Sequence, residues 1–141
     1  MIPAGEYSLF AVSPEHHKIV VIGGGLVGVK TALFLVRSGL DVTLVEKESH
    51  LLPNALSTEA SRPVEEHLCR IGIKLFTGSV VEDFRAHRGV LQSVRVGDQW
   101  ISCNTLLVAI GSRPDVGFLG DSGLLENGEL RVSPDLQTRD E

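Results

Sequence analysis

The sequence is sparing with the residues that signal special chemistry. In 141 residues it has two cysteines, one tryptophan, one tyrosine and one methionine. Cys69 and Cys103 lie far apart with no C-x-x-C pair, which excludes a redox dithiol and a thiolate metal knuckle. They read as two small buried thiols of a reduced compartment. The histidines supply no ligand set either: His16–His17 is a terminal pair, and His50, His67 and His87 stand alone. No metal is expected. No apolar run approaches the ~20 residues needed to cross a bilayer. The N-terminus lacks the charged start and apolar stretch of a signal peptide, so a cytoplasmic domain with no membrane partner is expected. Charge is undramatic: 13 Lys and Arg against 18 Asp and Glu, net −5. No block of like sign occurs, which argues against nucleic acid as a partner. Repeats and low-complexity tracts are absent.

What is present is an ordinary globular composition, 43% apolar and 22% charged, at a length suited to one domain and short for a complete two-domain enzyme. Met1–His17, broken by Pro3, Gly5 and Pro14, reads as a linker or a remnant of a flanking region. From Lys18 the pattern sharpens. Ile19–Ile22 is a continuous apolar run, as in a strand covered on both faces. Leu26–Ser38 spaces Val29, Ala32, Leu33, Leu35 and Val36 as a helix, which Gly39 ends. Asp41–Glu46 is a second strand, so the three form one βαβ unit with a parallel pair and a right-handed crossover.

After the loop "SHLLPNALS" a helix runs to about Arg70, capped by Ser57 or Ser61, and Pro63 favours Ser61. "IKLFTG" is a third parallel strand. Val80–Phe84, Gly89–Val96 and Trp100–Cys103, divided by "AHRG" and "VGDQ", predict an antiparallel meander. Thr105–Gly111 returns as a buried strand, and Leu124–Glu141 is a polar tail with isolated apolar anchors. The expected fold class is α/β: a Rossmann-like three-layer nucleotide-binding domain, its parallel sheet accompanied by a three-stranded antiparallel meander. The expected divisions are residues 1–17, a binding domain over 18–120, and a C-terminal segment over 121–141.

The glycines carry the functional reading. Gly23, Gly24, Gly25 and Gly28 follow a strand and open a helix, and Glu46 lies at the next strand's end. Gly23 permits a tight turn, Gly25 lets the backbone approach a pyrophosphate, and Gly28 allows helix–sheet packing. The helix N-terminus directs unpaired N–H groups and about half a positive charge at an anion. Glu46 can accept hydrogen bonds from a ribose diol and would repel a 2′-phosphate, so NAD(H) is expected over NADP. No Arg occurs between Ser38 and Ala60, although Lys47 could swing toward a phosphate.

"VVIGGGLVGVKTALFL", "VTLVEKESHLLP", the meander, "LLVAIGSRPD" and "ELRVSPDLQT" occur in an order that resembles the flavoprotein pyridine nucleotide-disulfide oxidoreductases, over about Lys18 to Thr138. That family carries an FAD domain with a similar NAD(P) domain inserted in it, and this chain resembles the inserted one. The resemblance implies that Leu26 and Val27 add backbone N–H groups to the pyrophosphate turn. It also implies that Val81 lines an adenine pocket, and that Ile110 and Gly111 lie beside the nicotinamide. The chain stops before the family's Gly-Asp flavin contact, so it looks like an excised domain. FAD would then belong to the parent protein, and the FAD-binding domain would be the partner. No catalytic side chain is expected here, and the isolated domain should bind NADH and turn over nothing. The terminal electron acceptor would be chosen by residues outside this chain. One departure stands out: many members have Glu two residues after the last glycine, where this chain has Lys30. Lys30 is either a solvent-facing helix residue or a sign that the nicotinamide end is held differently or that the flavin partner is another one. Two competing readings are a regulatory NAD(H)-sensing module and an FAD-binding domain of the same superfamily.

Overall fold

Ile19–Ile22 offers apolar side chains to both sides, and the structure provides a cover on each. It is a computed structural model that describes residues 17–138; the expected linker or remnant Met1–His17 lies outside these except for its last residue. Strand β1 (Lys18–Ile22) pairs in parallel with β2 (Asp41–Val45) and with β7 (Thr105–Val108), and β2 pairs with β3 (Lys74–Phe76). The sheet order is β3-β2-β1-β7. Because side chains alternate along a strand, Ile19, Val21, Val42 and Leu44 cluster with Val29 and Ala32 of helix α1 (Leu26–Arg37) and Leu68 of helix α2 (Thr58–Arg70). Val20 and Val45 cluster instead with Val94, Val96 and Cys103. Those last residues belong to or follow the antiparallel sheet of β4 (Val81–His87), β5 (Val90–Val96) and β6 (Gln99–Ser102). Helices, parallel sheet and meander thus form the three expected layers.

Both helices end in the same device. Gly39 (φ +83°) and Gly72 (φ +100°) take the left-handed conformation. The N–H of each donates to the carbonyl three residues back, and the N–H of the following residue donates to the carbonyl five back: Leu40 to Leu35, and Ile73 to Leu68. This is the Schellman arrangement, with the apolar pair that accompanies it. The start of α2 differs from expectation. Its N-cap is Ser57, whose hydroxyl accepts from the Ala60 N–H, and Pro63 lies inside the helix. Ser61 is fully buried and donates instead to the Glu65 carboxylate at 2.8 Å, so it is unavailable as a cap. The helix extends past Pro63 at the expense of one backbone hydrogen bond. In the meander, β4 continues to His87, so the first turn shrinks to Arg88–Gly89, both at positive φ as a two-residue hairpin turn requires.

A second compact unit begins at Ser112. It contains a 3₁₀ turn at Gly117–Leu119 and a short hairpin of β8 (Leu125–Glu126) and β9 (Glu129–Leu130). The intervening Asn127 (φ +54°) and Gly128 (φ +80°) adopt the type I′ geometry that Asn-Gly favours. The tail is therefore folded, not merely polar, over its described part.

The cysteines also part company. Cys103 is buried, but Cys69 is exposed on α2, which corrects the expectation of two buried thiols. In native protein, one thiol should react promptly with Ellman's reagent and the second only after unfolding; two prompt thiols would contradict the burial of Cys103. Burial raises the Cys103 pKa, partly offset by a hydrogen bond with the Val94 backbone. Its contribution to stability is therefore complete below the ordinary thiol pKa of ~8.5 and lost as pH rises through the higher folded value.

Candidate functional site

Strands β2 and β3 lie on one side of β1 and β7 on the other, so the direction of the sheet's connections reverses between β1 and β7. In open α/β sheets the crevice at that reversal, beyond the strands' carboxyl ends, is where ligands bind. The glycine turn sits there. The Gly23 N–H donates to the Val45 carbonyl, and the Ala109 N–H donates to the Ile22 carbonyl, each at 2.8 Å.

Each glycine meets a different neighbour. A Cβ on Gly23 (φ +107°) would lie 2.3 Å from the Ala109 carbonyl oxygen; on Gly24 it would lie 2.4 Å from a Leu51 methyl. On Gly28 it would lie 1.7 Å from the Gly23 carbonyl oxygen. Gly28 therefore lets α1 approach the turn itself, a closer constraint than the helix–sheet packing expected of it. Gly25 is the exception: a Cβ there meets nothing within 4 Å. It is also the N-cap of α1, with no side-chain cap and no acid in the first turn. The N–H groups of that first turn have no intrahelical partners, so a bare, positively polarised helix end opens onto free space.

Glu46 follows β2 and is almost wholly buried, at 6% exposure. Its carboxylate accepts the Gly24 N–H at 2.5 Å and the Glu48 N–H at 2.9 Å. An ionised carboxylate offers about four acceptor sites, so these two bonds leave capacity for a hydroxyl pair. Lys47 is exposed and lies 3.4 Å from Glu48. Leu26 and Val27 are exposed on the first turn of α1, and Ile110 is exposed just beyond β7. Gly111 follows at φ +100°. The structure thus brings Gly23–Gly28, Glu46 and the Ala109–Gly111 segment to one end of the sheet. Val81 is partly buried against the Val20–Val94–Cys103 cluster, and Lys30 is an exposed residue of α1. Among the described residues no group of three or more His, Cys, Asp or Glu is placed to hold a metal ion. No helix there is long and apolar enough to cross a membrane.

Sequence reasoning read the "HLLP" segment as a loop and did not reach its contact with the glycine turn. Leu51 is fully buried beneath Gly24, and the Leu52 N–H donates to the Gly24 carbonyl at 2.8 Å. The loop therefore forms the floor of the turn.

The fold is that of an α/β domain of the Rossmann type. Residues 5–141 match the pyridine nucleotide-disulphide oxidoreductase family, and the chain belongs to that family, whose members are FAD- and pyridine nucleotide-dependent oxidoreductases. It is 27% identical over 124 residues to a nitric oxide reductase FlRd-NAD(+) reductase of Salmonella gallinarum, which covers 88% of this chain and 33% of the relative. A ferredoxin reductase from Rhodopseudomonas palustris superposes with a TM-score of 0.82 at 25% identity, over 90% of this chain and 32% of that one. An NAD-dependent persulfide reductase from A. fulgidus does so with a TM-score of 0.79 at 26% identity, over 88% and 23%. The chain spans about a third of the length of the curated relatives it matches.

Proposed function

We propose that this domain binds NAD(H) and presents its nicotinamide to the flavin of a longer parent oxidoreductase. The observation that carries the reading is Gly25: a bare N-cap, facing free space, beside a buried carboxylate at the end of β2. The residues fit a dinucleotide. The N–H groups of Leu26 and Val27 would bind the pyrophosphate, and Gly23, Gly24 and Gly28 hold the turn that aims them. Glu46 would accept the adenosine ribose hydroxyls while its two N–H donors keep it fixed. Ile110 and Gly111, at the end of β7, would flank the nicotinamide. When bound there, NADH would supply the hydride that reduces the flavin of the parent protein. The chain's own part is positioning, with no proton held or moved by its side chains.

The preference for NAD(H) over NADP(H) rests on Glu46, whose carboxylate would face a 2′-phosphate. Lys47, the neighbouring cation, is engaged with Glu48. A Glu46→Ala variant should bind NADH about tenfold to a hundredfold more weakly, the worth of a charge-assisted hydrogen bond. Because that variant also releases the Gly24 and Glu48 N–H groups, affinity alone is not diagnostic. The NADH/NADPH preference is, and an unchanged preference would remove Glu46 from the ribose. Titration of the purified chain with NADH tests the reading as a whole. A colourless protein that binds NADH supports it; a yellow protein with flavin absorbance overturns it in favour of an FAD domain.

A further inference from the structure

Glu65 lies on the second half of α2, away from the glycine turn in sequence, yet one of its carboxylate oxygens is committed twice. It accepts the Ser61 hydroxyl at 2.8 Å and the Leu51 backbone N–H at 2.9 Å. Ser61 is fully buried, so the carboxylate is held in place from its own helix. Leu51, tied to it, is fully buried under Gly24. Leu52 adopts φ +55°, a conformation a bulky residue keeps only when its surroundings enforce it. Three bonds do so: its N–H to the Gly24 carbonyl, and its own carbonyl accepting from Ala55 and Leu56.

The consequence is geometric. The Gly24 carbonyl and the Gly25 N–H share one planar trans peptide and point in opposite directions. Fixing that carbonyl on Leu52 therefore fixes the Gly25 N–H away from the loop. Glu46 fixes the preceding peptide through the Gly24 N–H. Two glycines with no side chains cannot hold these planes by themselves, and Leu52 can hold its side only while Leu51 stays anchored.

We propose that Glu65 is a positioning residue for the dinucleotide turn, acting through Leu51 and Leu52 on the Gly24–Gly25 peptide. It touches no ligand. This inference rests on the NADH reading above, and its test separates the two. NADH affinity, thermal midpoint and hydrogen exchange of the Leu51 and Leu52 amides are measured on the natural chain and on Glu65→Ala, Glu65→Asp and Glu65→Gln. Aspartate keeps the charge but withdraws the carboxylate; glutamine keeps a reaching acceptor. The alanine and aspartate variants should lose about tenfold in NADH affinity and expose both amides to faster exchange. Glutamine should restore affinity to within about threefold of the natural chain. An Ile73→Val control, destabilised in the core below α2, should keep its affinity, which separates positioning from general loss of stability. Should the alanine variant fail to fold, the aspartate variant decides. Natural affinity in the aspartate variant, or no rescue by glutamine, overturns this inference and leaves the NADH reading standing. A natural chain that binds no NADH overturns both.

Discussion

A Gly25→Val variant is expected to fold and to lose NADH binding by at least about a hundredfold. The two halves of that result have separate causes. Gly25 has φ −72° and ψ −177°, an extended conformation open to any residue, and a Cβ there meets nothing within 4 Å. The stability cost is that of a poor N-cap, about 1 kcal/mol, which lowers Tm by about 3–4 °C in a chain of this length. The valine methyls instead fill the space in which a pyrophosphate would approach the helix end. Substitution thus removes the ligand without removing the fold. Circular dichroism and NADH titration on one sample check both halves. A folded variant with natural affinity would take the pyrophosphate away from this turn.

Gly28→Ala should do the reverse. Alanine in place of glycine inside a helix ordinarily stabilises by about 1 kcal/mol. Here its methyl would lie 1.7 Å from the Gly23 carbonyl oxygen and 2.9 Å from the carbonyl carbon. Both are backbone atoms, and that carbonyl belongs to a turn tied at its N–H to Val45, so neither side can swing aside. Either α1 lifts off the turn or the turn leaves the sheet. A loss above about 4 kcal/mol is expected, in the exceptional range for one substitution and a large part of typical domain stability. Thermal or urea unfolding reads it directly. A variant as stable as the natural chain would show that the helix stands farther from the turn than described.

The contrast shows where the sequence was legible. The βαβ unit could be read because its signals are local: an apolar run, helical spacing from Val29 to Val36, and glycines at the turn and at Gly39. The glycine pattern marked the candidate site but did not rank its members. That Gly25 faces space while Gly28 faces a carbonyl depends on how closely α1 approaches, which is a tertiary quantity. The floor of the turn was hidden for the same reason. Nothing local in Leu51 or Leu52 indicates that a backbone N–H will reach a glycine peptide; the only trace was Ser61 and Glu65, four residues apart and able to bond on a helix. At α2 the proline rule favoured Ser61 as the cap and was outweighed by burial of that serine. At the C-terminal end the Asn127–Gly128 turn was the available signal, but strands of two residues show no alternation to support it.

The strand order has a consequence for how the domain is made. β1 waits for its second neighbour, β7, until nearly the whole first compact unit has been synthesised, because Ile19 pairs with Thr105 and Ile22 with Val108. Such distant pairings form late and slowly. The βαβ half can collapse early on its short-range contacts, but the wall that Ala109 places against Gly23 arrives only with this last strand of the parallel sheet. A nascent chain emerging from the ribosome would therefore carry every glycine of the motif long before it had a crevice to offer, and competence would come in one late step.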